Sequence, residues 1–129
     1  MFIAVSALLA MLAAPAAPPE TATKETFDDA LKAANDSLGT PEGKAYDDSL
    51  AKYSEQYIQA AQACAVVSKT HDTTPFQALL KVGADGVVTS TLTKPETELA
   101  TCFAGKAKQI ALPKPPKPGH WVLLDMTGS

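Results

Sequence analysis

The side chains with the most chemistry in this sequence are two cysteines and two histidines, Cys64, Cys102, His71 and His120. A nucleophilic centre needs a thiol or hydroxyl beside a base that a third group holds in place. His71 precedes Asp72, but the sequence around either histidine contains no nucleophile elbow, phosphate loop or zinc-protease motif. Both histidines fall in predicted loops, where we expect solvated side chains. The sequence therefore predicts a protein that is not an enzyme, with no catalytic residue, cofactor or metal ion.

The N-terminal segment predicts export. Residues 2–14 form an uncharged apolar run, followed by a proline-rich stretch over 15–19 and then by polar sequence. This pattern is typical of a signal peptide, and small residues favour cleavage after Ala16. A retained membrane anchor is the alternative, although a spanning helix takes about 20 apolar residues. We expect a signal peptide over 1–16, a mature chain over 17–129 that is periplasmic or secreted, and no stable membrane span after cleavage.

Export bears directly on the cysteines. An even pair in a short chain bound for an oxidising compartment favours a disulfide, here Cys64–Cys102. A metal-binding pair and a redox dithiol are the alternatives. The sequence has no Cys-x-x-Cys, and the histidines stand at no recognisable zinc spacing. A structural disulfide is therefore the prediction.

The composition suits one small domain without a nucleic-acid partner. With 129 residues, 46% of them apolar and 19% charged, the chain has room for a single core. All basic residues are lysine, and the formal net charge is −3. Nucleic-acid binding ordinarily uses a positive field and arginine side chains. We expect a single α+β domain over 17–129.

The first half of the mature chain, residues 17–68, has the periodicity of two helices. One helix begins after an N-cap at Thr26 and ends at Gly39. A second begins after Thr40, with proline at its first position, and is expected to run from 41 to about 68. Its apolar stripe carries three tyrosines, for which core packing and a partner-binding surface are the two interpretations. These tyrosines are Tyr46, Tyr53 and Tyr57.

The second half, residues 76–126, predicts a ββαβ unit. Two β-rich runs, 76–82 and 87–93, flank a turn that contains Asp-Gly and so indicate a hairpin. Phe76, Ala78, Leu80 and Val82 are expected to share a face with Val87, Thr89 and Thr91, whether the loop has two residues or four.

A third helix and a last strand complete this unit. The helix is expected to open at Pro95 and to reach about Ala107, with Cys102 on its buried side. The proline-rich segment 113–119 predicts a stiff extended connection. In the terminal strand over 121–126, Val122, Leu124 and Met126 form one apolar face. Trp121 begins this strand, where core packing and partner binding are again the alternatives.

The second half also shows a recognisable order of motifs: a hairpin, a helix with a cysteine, a proline motif and a closing strand. The segments are Leu79–Val82, Asp85–Val88, the helix with Cys102, Leu112–Pro116, Gly119 and Trp121–Val122. This order resembles the TonB C-terminal domains and, more closely, the related AgmX/PglI C-terminal-like domains, which also carry a cysteine on the preceding helix, here Cys64. The resemblance covers about residues 58–126. It implies a bacterial envelope location and a small domain that pairs its sheet edge with a partner peptide.

Two functions fit these observations. The first is a non-catalytic exported interaction or accessory module of the bacterial envelope, which binds a protein partner through a sheet edge or through the surface around Trp121. The alternative is a secreted or periplasmic inhibitor or immunity-type protein that blocks an envelope hydrolase. Residues 17–60 contain nine acidic residues and four lysines, and such an acidic surface could steer the chain onto a basic enzyme. An exposed edge could also pair with a second copy to give a homodimer.

Overall fold

A computed structural model of the chain describes residues 25–69 and 71–126. The predicted signal peptide over 1–16 lies outside these residues, as do residues 17–24 and 127–129 of the predicted domain. The described residues form an α+β fold with one three-stranded antiparallel sheet, as the sequence predicts. The elements are α1 (Phe27–Leu38), α2 (Pro41–Ser49), a 3₁₀ helix (Leu50–Tyr53), α3 (Ser54–Val67), β1 (Phe76–Val82), β2 (Val88–Lys94), α4 (Glu98–Ala107) and β3 (His120–Met126).

The sheet has the strand order β2-β1-β3, so the first strand is central. Five of its seven residues are apolar and buried, because both faces of the sheet are covered. On one face, Leu79 and Trp121 pack against Ala30 and Ala34 of α1. The opposite face packs against α3, α4 and the end of α2. The helices predicted for the first half therefore enclose the sheet from both sides.

The terminal strand pairs with β1 and presents its apolar face as predicted. Val122, Leu124 and Met126 lie opposite Leu80, Ala78 and Phe76, in the larger core cluster. The prediction for the inward face of the second strand is wrong for Val87 and Thr89. Val87 is 49% exposed, whereas Val88 is buried opposite Val82. A bulge at Lys81/Val82 shifts the register next to the turn and displaces Thr89 from this face, although Thr91 keeps its place opposite Leu80.

The hairpin turn is the four-residue loop Gly83–Gly86. The Gly86 N–H donates to the Gly83 carbonyl, and the Gly83 N–H donates to the Val87 carbonyl. Gly86 has a φ of +88°, which favours glycine. A Cβ at this position would lie 2.0 Å from the Leu112 carbonyl oxygen. The proline-rich connection thus packs on the turn, where the Leu112 N–H donates to the Gly86 carbonyl.

The predicted caps of the first two helices are confirmed, but the second helix is shorter than expected. The Thr26 and Thr40 hydroxyls accept from Asp29 N and Gly43 N, respectively. The 3₁₀ helix Leu50–Tyr53 separates α2 from α3. An unbroken helix over 41–68 would be about 42 Å long, whereas seven-residue strands span about 23 Å. The interruption divides this segment into helices of nine and 14 residues.

The third predicted helix begins later than expected. Pro95 follows a cis peptide bond and lies before the helix. The helix α4 starts at Glu98 because the Thr97 hydroxyl accepts from Ala100 N and caps it. The Asp72 carboxylate also accepts from Leu99 N at 3.4 Å. The predicted end at Ala107 is confirmed.

No helix in residues 25–69 and 71–126 is both long and apolar enough to span a bilayer.

Candidate interaction site

The predicted disulfide is confirmed. Cys64 on α3 and Cys102 on α4 form it across 38 residues of chain. Cys64 is 1% exposed, and the bridge joins the two helices that cover the larger core cluster. Both cysteines are therefore part of a structural disulfide, and neither is a free thiol.

Trp121 lies in the core between the sheet and α1. The side chain is 4% exposed, and its indole N–H donates to Glu25 Oε2 at 2.8 Å. Lys81 forms an ion pair with the same carboxylate and places its ammonium 5.7 Å from the indole ring centre. Of the two interpretations of Trp121, core packing therefore agrees with its environment. Trp121 packs α1 against the sheet, and little of its side chain is accessible to a partner.

The three tyrosines of the helical half divide between core and surface. Tyr46 and Tyr57 are buried, and Tyr53 is partly buried. The Tyr46 hydroxyl donates to the Pro113 carbonyl at 2.8 Å, which connects α2 to the proline-rich segment. The three tyrosines therefore do not form a continuous exposed surface. Tyr57 nevertheless contributes to the site described below.

His120 differs from its predicted environment, whereas His71 matches it. His71 is exposed in the irregular segment before β1, with a φ of 52°. His120 is the first residue of β3 and is buried. Its Nε2 lies 3.3 Å from Asp47 Oδ1, and its ring packs edge-on against Tyr46. The expectation of two solvated histidines is wrong for His120 because the terminal strand begins one residue earlier than expected.

The free edge of β3 borders a groove. β3 pairs with β1 on one side, and no other described strand pairs with its second side. A cavity of about 180 Å³ lies between this strand and the helical segment that contains α2, the 3₁₀ helix and the start of α3. Cavities of ~150 Å³ hold a benzene-sized molecule. The volume of the groove is therefore comparable to that of one side chain of moderate size. Its strand wall is Val122–Leu124, and its helical wall includes Asp47, Leu50, Ala51, Ser54 and Tyr57.

The Tyr57 hydroxyl is a buried polar group without a partner in the wall of this groove. The residue is 3% exposed, and within the described part of the chain no group forms a hydrogen bond with its oxygen. Burial raises the pKa of Tyr57 to about 12, so the hydroxyl stays protonated near neutral pH. An unsatisfied buried hydroxyl costs about 1–3 kcal/mol.

The Asp47–His120 pair stands at the end of the groove. Asp47 lines the groove, whereas His120 lines a second cavity of about 370 Å³ between the α1–α2 turn and the proline-rich segment. The second cavity also has Asp36, Glu42 and Lys117 in its wall. Charges of both signs surround it, so it defines no single ligand chemistry. The pair fixes the distance between α2 and β3, the two walls of the groove.

Burial raises the pKa of Asp47, and the hydrogen bond and charge of His120 oppose this effect. Between its ordinary pKa and the raised value, the folded state binds a proton that the unfolded state releases, so stability falls as pH rises through this window. Asp47→Asn removes the titrating group but retains an oxygen that can accept from His120. We expect the wild type to lose stability relative to Asp47→Asn as pH rises through the window.

Urea denaturation of both chains at several pH values measures this difference. The comparison also separates the effect of Asp47 on the pH dependence of stability from that of Glu25. The hydrogen bond from Lys81 is the main cause of the lowered pKa of Glu25. The stabilisation from Glu25 is present above its ordinary pKa and is lost as pH falls, equally in both chains. A constant difference between the chains at every pH would contradict the assignment to Asp47.

Sequence patterns did not reveal the groove or the Asp47–His120 pair. The two residues are 73 positions apart, and local periodicity carries no information about such contacts. A weak signal was the placement of Asp47 next to the apolar position Tyr46. Among residues 25–69 and 71–126, no three side chains of His, Cys, Asp or Glu are grouped so as to hold a metal ion.

Comparisons with known proteins do not assign this chain to a family. No protein-family model matches the chain, and no match is found among curated proteins or solved structures.

Proposed function

We propose that this chain is a non-catalytic, exported protein-interaction module of the bacterial envelope, and that it binds an extended segment of a protein partner along the free edge of β3. The observation that carries the proposal is the groove between this edge and the helical wall. An edge strand leaves alternate backbone N–H and carbonyl groups unpaired. An added strand satisfies these groups, and side-chain pockets beside the edge supply specificity.

The groove defines the chemistry of the segment. Its centre is apolar, with Leu50 and Val122 on opposite walls, so the segment carries one leucine-sized or aromatic anchor. Asp47 lies at the end of the groove and favours a basic residue there. The partner segment is therefore extended, with one apolar anchor and a neighbouring positive charge.

The other edge strand is less suited to this role. β2 is polar along most of its length, with Thr89, Thr91 and Thr93 at alternate positions. A bulge distorts its pairing near the turn, and Lys94 ends it. Bulges and lysines are common protections of a sheet edge. These features favour β3 as the edge that is used.

Export is the second part of the proposal. The disulfide between Cys64 and Cys102 is typical of proteins in oxidising compartments, and the apolar run over residues 2–14 is typical of a signal peptide. The hairpin, helix and closing strand follow the order that resembles TonB C-terminal-like domains. In this proposal the chain is periplasmic or secreted.

An inhibitor of an envelope hydrolase is the second candidate function. It is favoured by the charge of the helical half, since residues 25–67 contain eight acidic residues and three lysines. Such a surface would act by attracting a basic enzyme. A binding constant that falls steeply with salt favours the inhibitor, whereas the β-strand mode predicts a shallow salt dependence.

Selection of peptides tests the site. The full chain, produced by export with its disulfide formed, is panned against a library of random peptides, and the Kd of a selected peptide is measured by fluorescence anisotropy. Ala51→Trp places an indole in the groove from an exposed position. We expect Ala51→Trp to weaken binding at least about tenfold, or ~1.4 kcal/mol.

The matched control is Ala33→Trp, an exposed alanine on α1 at the opposite face of the sheet. This variant should bind the peptide like the wild type. Equal binding by Ala51→Trp and the wild type, or a selection that yields no peptide with an apolar anchor, would contradict the proposed site.

A further inference from the structure

The smaller of the two core clusters is formed between α1 and the sheet. It lies on the face of the sheet opposite the disulfide, and its buried residues are Ala30, Ala34, Leu79 and Trp121. Two alanines are thus the buried residues that α1 contributes, while its larger apolar side chains, Phe27 and Leu31, are only partly buried. Because hydrophobic stabilisation follows the apolar area that is buried, α1 is held weakly for a helix of 12 residues.

The opposite face of the sheet is held more firmly. The helix α4 has only ten residues, yet four of them are buried: Leu99, Ala100, Phe103 and Ala107. Its Cys102 is also bonded to Cys64 on α3, whereas neither cysteine lies on α1. A helix as short as α1 is marginal by itself in water. Segments with few buried apolar contacts open at a lower free energy than the core, so α1 should open more readily than α4.

One carboxylate connects the start of α1 to two strands. Glu25 accepts from the indole N–H of Trp121 on β3 and forms an ion pair with Lys81 on β1. Trp121 and Lys81 are partners in the strand ladder. A second link joins Asp28 to Lys94 on β2 at 3.8 Å, but these side chains are 83% and 64% exposed, and such surface pairs contribute little. The link through Glu25, which includes the buried indole, is therefore the stronger one.

We infer that α1 is a detachable cover, latched by Glu25, which opens as a unit while the rest of the fold stays closed. Opening breaks the hydrogen bond between Glu25 and Trp121 and uncovers the sheet face that contains Leu79 and Trp121. The larger core cluster and the disulfide lie on the other face and are retained. Trp121 is 4% exposed in the closed state, so the cover controls access to this side chain. The peptide groove is not required for this opening.

Native-state hydrogen exchange of the full, disulfide-bonded chain, followed by nuclear magnetic resonance, tests the inference. The hydrogen-bonded amides of α1 are expected to have protection factors at least about tenfold lower than those of α4, because local opening is more frequent than global unfolding. The chain has one tryptophan, so its indole N–H gives a single resonance. This proton is bonded to Glu25 and should exchange through the same opening as the amides of α1.

Variants separate the opening of α1 from global unfolding. Phe103→Leu weakens the larger core cluster, which stays intact when α1 opens, so it should lower protection in α4 several-fold and leave α1 unchanged. Glu25→Gln removes the ion pair with Lys81 but keeps an oxygen that can accept from the indole. It should lower the protection of α1 and of the indole N–H several-fold. Asp28→Asn, the same carboxylate-to-amide change at the exposed link, should have a smaller effect on α1. Unaltered circular dichroism shows that each variant is folded.

Two results would overturn the inference that α1 opens separately. One is equal protection of α1 and α4 in the wild type. The other is a Phe103→Leu chain in which both helices lose protection by the same factor, because α1 would then exchange only when the whole chain unfolds. The role of Glu25 as the latch fails if Glu25→Gln lowers the protection of α1 no more than Asp28→Asn does.

Discussion

Replacing Phe103 with alanine is expected to lower the free energy of unfolding by about 3–5 kcal/mol. Phe103 is wholly buried on α4. Its ring centre lies 5.3 Å from that of Phe76 on the sheet and 6.1 Å from that of Tyr57 on α3. The substitution removes the side chain that all three elements share and leaves a cavity among them. Urea denaturation followed by tyrosine and tryptophan fluorescence measures the loss.

Two further variants separate cavity formation from a general sensitivity to substitution. Phe103→Leu keeps most of the side-chain volume and should cost less than about 1.5 kcal/mol. Leu38→Ala changes a side chain that is 42% exposed, and surface changes of this kind stay within about 0.5 kcal/mol. A Phe103→Ala chain as stable as Leu38→Ala would show that the core is not built around this ring.

Removing the disulfide is expected to have an effect of similar size. The bridge between Cys64 and Cys102 closes a loop of 38 residues, for which the chain-entropy relation gives about 4 kcal/mol of stabilisation. The double variant Cys64→Ala/Cys102→Ala should be destabilised by about this amount. Because domains of this size have only about 5–15 kcal/mol of stability, the variant should unfold well below the wild-type melting temperature.

Reduction provides the control for the disulfide. Wild-type protein treated with a reductant should lose about as much stability as the double variant, and the variant itself should not respond to the reductant. Thermal melts with and without reductant compare the two. If the wild type melts at the same temperature in both conditions, the bridge does not stabilise the fold.

The parts of the fold that sequence patterns predicted are those fixed by neighbouring residues. Thr26 and Thr40 were recognised as caps because a cap needs only a side-chain acceptor and the next few N–H groups. Alternation placed Val122, Leu124 and Met126 on one face. The disulfide followed from an even cysteine count in a chain that the sequence predicts to be exported.

The remaining features depend on contacts between distant segments. The 3₁₀ helix Leu50–Tyr53 interrupts the helix after Pro41, and the apolar periodicity of this segment continues through the interruption without marking it. Whether Trp121 and Tyr46 are buried depends on α1 and on the proline-rich segment, which pack over them. The groove exists only because residues near Leu50 and residues near Val122 are brought together. Local patterns identify the apolar residues but not which surface remains open.

Nuclear magnetic resonance of the isotope-labelled chain with a selected peptide tests strand addition at β3 most directly. If the peptide pairs with this edge, amide hydrogen exchange should slow at alternate residues of His120–Met126, and nuclear Overhauser effects should connect these residues to the peptide backbone. Residues Val88–Lys94 of the other edge should be unchanged. Protection confined to β2 or to α1, with no contact between the peptide and β3, would contradict the account.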